Sequence, residues 1–178
     1  FERICRLVAL AGGMRMPGAR MLVLGWRLGP QVFGVEVHNV VHIEENLKIR
    51  RVPRPLPGIS GVVYYQAQIV PVLNLPEILL KEASHKWHSD SLYLVLQSGD
   101  QRYGGRVDSV LRIFSAYTDD LTTWADPPEH PAVPFVRAVL QTDQEMLWLI
   151  DVRRIARHMR LSVHTQRTRT ELPVRQGA

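Results

Sequence analysis

The sequence predicts a mainly β fold made of two similar units in tandem, and three observations carry that expectation. The chain repeats itself, its apolar residues alternate with polar ones, and proline-rich connectors fall at matching places in the two copies. "LVLGWRLGPQVFGVEVHNVVHI" (22–43) lines up with "LYLVLQSGDQRYGGRVDSVLRI" (92–113) at a constant offset of 70, pairing Gly29 with Gly99, Phe33 with Tyr103, Gly34 with Gly104 and Ile43 with Ile113. Matching resumes at an offset of 77, where "GVVYYQAQIVPVLNLPEI" (61–78) pairs with "AVLQTDQEMLWLIDVRRI" (138–155).

Each copy has the same order of elements. A strand (about 21–28; 91–97) runs into a tight turn at Gly29-Pro30 or Gly99-Asp100. Next comes a strand with period-two apolar spacing (32–43; 102–114). The connectors "RRVPRPLPG" and "WADPPEHPAVP" follow; proline interrupts regular ladders, so these run over the surface or along sheet edges. Two further strands come after each connector, and each copy closes on a helical start, "PEILL" at 76–80 and "VRRIARHM" at 152–159. In the second of these Val152, Ile155 and Met159, with Ala156, share one helical face, and the arginines point largely outward. "KEASHKWHSD" (81–90) is polar and marks the internal boundary. Residues 1–20 are an extension, 21–80 and 91–157 are the two units, and 158–178 form a tail. Many short strands at this spacing fit small barrels or a sandwich.

Charge is unevenly placed. The net charge is +5, but residues 153–178 hold seven arginines against one acid and residues 1–20 hold four arginines against Glu2. The middle, 21–152, has 11 basic and 15 acidic residues, so the body is mildly acidic. A globular nucleic-acid binder would place its basic patch on the folded body, which leaves attachment through the arginine-rich tail as the form nucleic-acid binding would take here. No stretch approaches the roughly 18–20 apolar residues that span a membrane. "RLVALAGG" is too short an apolar run behind too thin a basic region to be a signal peptide. The single cysteine, Cys5, excludes an internal disulfide and fits a reducing compartment.

Chemistry is sparse. His85 and His88 lie three residues apart in the polar linker, short of the four ligands, or three and a water, that a zinc site needs, and read as solvated side chains. Asp108, Asp119, Asp120 and Asp143 fall in turns or beside strands, with nothing in the sequence to converge them. No nucleophile elbow, zinc-protease helix or phosphate loop is present, so no enzyme, metal or cofactor is expected.

One stretch stands out: Tyr64, Tyr65, Gln66 and Ala67 occupy the bend between two strands where small turn formers are usual. The surrounding pattern resembles the CheW-like domain family. The resemblance rests on Phe33 to Ile43 (Phe-Gly-Val-x-Val-x-x-Val-x-x-Ile), on the proline-rich run Val52 to Pro57, and on Gly61 to Leu75 with its Ile-Val-Pro-Val-x-x-Leu. In the second half, Val107-Asp108-Ser109-Val110 and "PFVRAV" (134–139) resemble the family's Val-Asp-x-Val and aromatic-x-Arg-Gly-Val runs.

The resemblance covers about residues 21–157. It implies two small five-stranded, SH3-like β-barrels packed side by side around a shared core, with short helices and a C-terminal helix. It also implies a non-catalytic, cytoplasmic adaptor, associated with membrane-bound receptor arrays, that bridges a chemoreceptor tip to the regulatory domain of a CheA-type histidine kinase and meets other CheW-like proteins. Where the family usually has Asn-Leu-Arg-Gly, this chain has Tyr64-Tyr65-Gln66-Ala67; His42 stands for a common glutamate, Asn74 for a common aspartate, and Ala138 for a glycine. The implied partner-binding residues are Val40, His42, Gly61, Tyr64, Tyr65, Gln66 and Ala67. Alternation along a strand sends one tyrosine inward and the other outward. The departures suit a divergent paralogue, such as one serving type IV pilus (twitching) motility.

Overall fold

A computed structural model describes residues 18–53 and 57–159. It is mainly β, as expected. The strands are β1 (Arg20–Leu28), β2 (Gln31–Glu36), β3 (Val40–Glu44), β4 (Ile59–Tyr65), β5 (Gln68–Leu73), β6 (Leu92–Ser98), β7 (Gln101–Val107), β8 (Ser109–Tyr117), β9 (Leu121–Thr122), β10 (Val136–Gln141) and β11 (Met146–Ile150). A single helical turn at Pro76–Leu80 follows β5, and helix α1 (152–159) follows β11. Val152, Ile155, Ala156 and Met159 are buried on α1 while Arg153, Arg154 and Arg157 face out, as the periodicity predicts.

Hairpins β1–β2 and β6–β7 turn at Gly29-Pro30 and Gly99-Asp100, where each glycine takes positive φ (55° and 59°) and the next residue does not. Glycine at the first central position and a proline-compatible φ at the second suit a hairpin whose twist matches its strands.

The long strands expected at 32–43 and 102–114 are each broken. The first splits into β2, a helical turn at Val37–Asn39, and β3. The second breaks at Asp108. The cause is topological, because the chain changes sheets at both breaks. The six-stranded sheet has the order β8-β1-β2-β11-β10-β9 and the five-stranded sheet β3-β6-β7-β5-β4. Under the internal repeat β1, β2, β3, β4 and β5 correspond to β6, β7, β8, β10 and β11, so the two sheets are equivalent apart from β9. Each takes the opening hairpin of one copy and the last three strands of the other. Partnering therefore crosses the 81–90 segment, and the parallel contacts β2–β11 (Phe33↔Trp148) and β5–β7 (Val72↔Gly104) join the copies.

The core follows from this. A large shared cluster lies between the sheets, with Trp26, Phe33 and Trp148 from one side, Leu73, Leu94 and Tyr103 from the other, and Ile78, Leu79 and α1 closing it. Each sheet also curls around a small cluster on its opposite face. The six-stranded one encloses Val23, Val32, Phe114, Leu140, Leu147 and Leu149. The five-stranded one encloses Val63, Val70 and Val72, with Leu47, Ile49 and Tyr65 against them. The second interior is poorer in apolar side chains because the repeat partners of Val23, Val32 and Phe114 are Tyr93, Arg102 and Glu44.

The polar linker is not simply solvated. The His85 side chain is only 10% exposed, with Nδ1 2.7 Å from Glu82 and Nε2 2.9 Å from Asp108. Asp108 in turn accepts the Gly29 N–H at 2.7 Å and donates its own backbone N–H to Arg27 at 2.9 Å. Two acceptors on opposite ring nitrogens, and the Trp87 ring 4.6 Å away, hold the histidine in place. Sequence spacing hides this clasp because Asp108 lies 23 positions away. His88 donates its backbone N–H to the Ser91 hydroxyl at 3.1 Å, and its carbonyl accepts the Ser91 N–H at 3.2 Å.

Candidate docking surface

The Tyr64–Ala67 stretch forms the tip of the β4–β5 hairpin, with Tyr65 opposite Gln68 across a two-residue turn. Gln66 and Ala67 hold φ of 47° and 61°, the doubly positive turn that normally takes asparagine and glycine. The tyrosines diverge as alternation requires. Tyr64 is 73% exposed and sits opposite Ile69, itself 74% exposed, so the outer face of the hairpin presents an aromatic and an aliphatic side chain side by side. Tyr65 turns inward against the small valine cluster.

Around Tyr65 the structure assembles a polar group. His42 on β3 lies with its ring 5.8 Å from that of Tyr65, and its Nε2 3.3 Å from Glu44. β3 and β4 are the two edges of the five-stranded sheet, so this contact marks where the edges meet as the sheet curls. Arg102 on β7 stacks over Tyr65 at 5.8 Å and donates to Gln66 Oε1 at 2.8 Å, while Gln66 donates to the Tyr65 hydroxyl at 3.3 Å. His42, Tyr65 and Gln66 thus form one patch, with Tyr64 on the outer flank. Arg102 is the member that sequence reasoning missed. Its one signal is the replacement of Val32 by an arginine in the second copy.

Val40 and Gly61 are placed elsewhere. Val40 packs against the shared core where β3 shifts register on β6. Gly61 is buried beneath Arg50, which bridges to Val62, and a Cβ at Gly61 would meet the Arg50 carbonyl oxygen at 2.6 Å. Its role in the structure is close approach of two backbones.

A groove of about 510 Å³ beside the hairpin is lined by Ile59, Ile69, Pro71 and Leu73, by Asp100 and Gln101 at the β6–β7 turn, and by Met159 of α1. Among the described residues no set of three His, Cys, Asp or Glu side chains could hold a metal ion, and no helix is long and apolar enough to cross a membrane. Tyrosine and arginine are residue types enriched at protein interfaces.

Comparison with known proteins agrees with this architecture. The chain is 19% identical over 133 residues to the chemotaxis protein CheW of Treponema pallidum (strain Nichols), a match covering 73% of this chain and 78% of that one. The crystal structure of the scaffolding protein TtCheW from Thermoanaerobacter tengcongensis superposes with a TM-score of 0.67 at 19% identity, over 76% of this chain and 90% of that one. That likeness shows the fold, two SH3-like barrels side by side. The family model of the CheW-like domain matches residues 22–160, and with the strand order, the shared core and the hairpin described above, this chain belongs to the CheW-like domain family.

Proposed function

We propose that this protein is a non-catalytic scaffold of a bacterial chemosensory array, coupling chemoreceptors to a CheA-type histidine kinase, and that the β4–β5 hairpin is one of its partner contacts. The family match supports the scaffold role. The observation that carries the contact is the exposed pair Tyr64 and Ile69 beside the Tyr65–Gln66–Arg102–His42 group. Exposed apolar side chains on a short, twisted hairpin are poor choices unless covered, and aromatics anchor interfaces well. The changed turn sequence gives this chain a specificity of its own, in the cytoplasm beneath a receptor array.

Binding of the purified chain to the regulatory domain of its host's CheA-type kinase, and to a receptor cytoplasmic hairpin, tests the proposal. Tyr64→Ser with Ile69→Ser should weaken at least one of the two about 30-fold, the effect of losing a hot spot of about 2 kcal/mol. Unchanged binding of both partners would remove the hairpin from the interface; absence of any binding by the wild type would remove the scaffold role. The pathway reading, an array governing type IV pilus motility, rests on the divergence of the Tyr64–Ala67 run, and a deletion strain that twitches normally would end it.

The alternative, nucleic-acid attachment through the arginine-rich tail, falls on residues 160–178, which lie outside the described residues. Arg153 and Arg154 at the start of the basic segment are turned toward Asp151 and, for Arg154, the Val136 carbonyl.

A further inference from the structure

The internal repeat contains its own control experiment. Glu36 corresponds to Arg106 at the offset of 70, and Arg137 corresponds to Ser60 at the offset of 77. In the six-stranded barrel Glu36, at the end of β2, forms an ion pair with Arg137, at the bulge of β10. In the five-stranded barrel Arg106 stands near the end of β7 and Ser60 at the matching bulge of β4. The cation has moved to the other strand of the pair, and its carboxylate partner has gone. Serine is too short to replace it.

Arg106 is nevertheless held rigidly. Its guanidinium lies 4.8 Å from the Trp87 ring centre and 5.5 Å from that of Tyr93. Its Nε is buried and has no hydrogen-bond partner among the described residues. A guanidinium stays charged at any physiological pH and offers five donors in a fork shaped for an oxyanion. Arg102, four residues earlier on the same face of β7, shows the satisfied version: it stacks on an aromatic ring in the same way but donates to Gln66.

The space in front of Arg106 is a cavity of about 330 Å³, within the size range of small-molecule sites. Ser60, Ser84 and Asn74 bring polar groups to its wall, Trp87 and Tyr93 bring aromatic faces, and Val72 and Leu73 form an apolar floor. His85 stands on the same wall, but Glu82 and Asp108 already occupy both its nitrogens. We infer that this mouth of the five-stranded barrel is a binding site for a small organic carboxylate. The carboxylate takes the role that Glu36 has in the other barrel, now on the Ser60 side of the pair, accepting from Arg106 and from the serine hydroxyls. The hydrocarbon part of the ligand rests on Trp87 and Val72. The site is separate from the hairpin tip and does not depend on the function proposed for it.

Titration of the full chain with butyrate, its neutral match butyramide, and inorganic phosphate tests the inference, read by the NMR signals of the Arg106 Nε–H and the Trp87 indole. Butyrate should move both signals saturably, with butyramide and phosphate having at least tenfold weaker effects. Arg106→Gln should abolish the response. Ser60→Glu, which restores the carboxylate that the other barrel has, should raise Tm and abolish it too, and it serves as the test even if Arg106→Gln does not fold. A butyrate response that persists in Ser60→Glu would overturn the assignment, as would equal responses to butyrate and butyramide. Equal responses to butyrate and phosphate, or no saturable response to butyrate, would overturn it as well.

Discussion

Gln66 and Ala67 hold left-handed backbone that costs a non-glycine residue roughly 1–2 kcal/mol, and the hairpin keeps its shape because side chains offset that cost. Gln66 is fixed between Arg102 and the Tyr65 hydroxyl, so its strain is tied to the proposed contact. Ala67 has no such tie. Ala67→Gly should therefore stabilise the fold by about 0.5–1 kcal/mol, the relief of αL strain less the extra entropy of unfolded glycine, seen as a higher urea midpoint at unchanged slope. A lower midpoint would mean that the alanine methyl packs usefully. Gln66→Gly should gain less, because it deprives Arg102 of its acceptor. The opposite facing of Tyr64 and Tyr65 was legible in the sequence, since alternation needs only the strand to be right. Arg102 was not, because its bond to Gln66 spans 36 positions and no local pattern encodes it.

At the scale of elements, the regular pieces were the most legible and the connections between them the least. Helix α1 follows from four apolar residues at helical spacing, and the hairpin turns follow from Gly29 and Gly99. The 81–90 linker looks solvated because its composition is polar, yet the structure uses it to clasp β7 to the β1–β2 turn through His85 and Asp108. Burial pushes the His85 pKa down, but the hydrogen bonds and charges of Glu82 and Asp108 outweigh it and raise the pKa above the ordinary 6.5. A raised folded-state pKa means that the clasp contributes fully below the unfolded value of about 6.5 and fades as pH climbs through the raised one. His130, whose pKa burial lowers, acts in the opposite sense, losing stability as pH falls below about 6.5, so wild type alone would blur the effect. The difference in Tm between wild type and His85→Asn isolates the clasp. It should be a few degrees in mildly acidic buffer, the shift of about 1 kcal/mol in a domain of this size, and should shrink in mildly alkaline buffer. A difference that does not vary with pH would show that His85 acts by shape alone.

For the whole molecule, the repeat was legible but its consequence was not. Two tandem copies suggest two barrels in succession, whereas the strand order gives each barrel a hairpin from one copy and three strands from the other. Periodicity and turn signals are local, while the choice of partner strand is made by burial: the shared core joins Trp26 and Phe33 of the first copy to Trp148 of the second. A chain cut within 81–90, after Ser89, should therefore give halves that do not fold alone. The first would leave β1 and β2 without β8 and β11, exposing Trp26 and Phe33; the second would leave β6 and β7 without β3 and β5. Mixed in equal amounts, the halves should recover one cooperative melting transition, with a midpoint that rises with concentration because assembly has become bimolecular. A cooperative transition from either half alone would mean that a single copy can close its own barrel, and that the exchange of strands is a choice of packing the fold can do without. Failure of each half alone, with recovery on mixing, would make the crossed sheets the reason the two barrels hold a fixed geometry. The scaffold role proposed above, in which the β4–β5 hairpin meets a partner, would need that geometry.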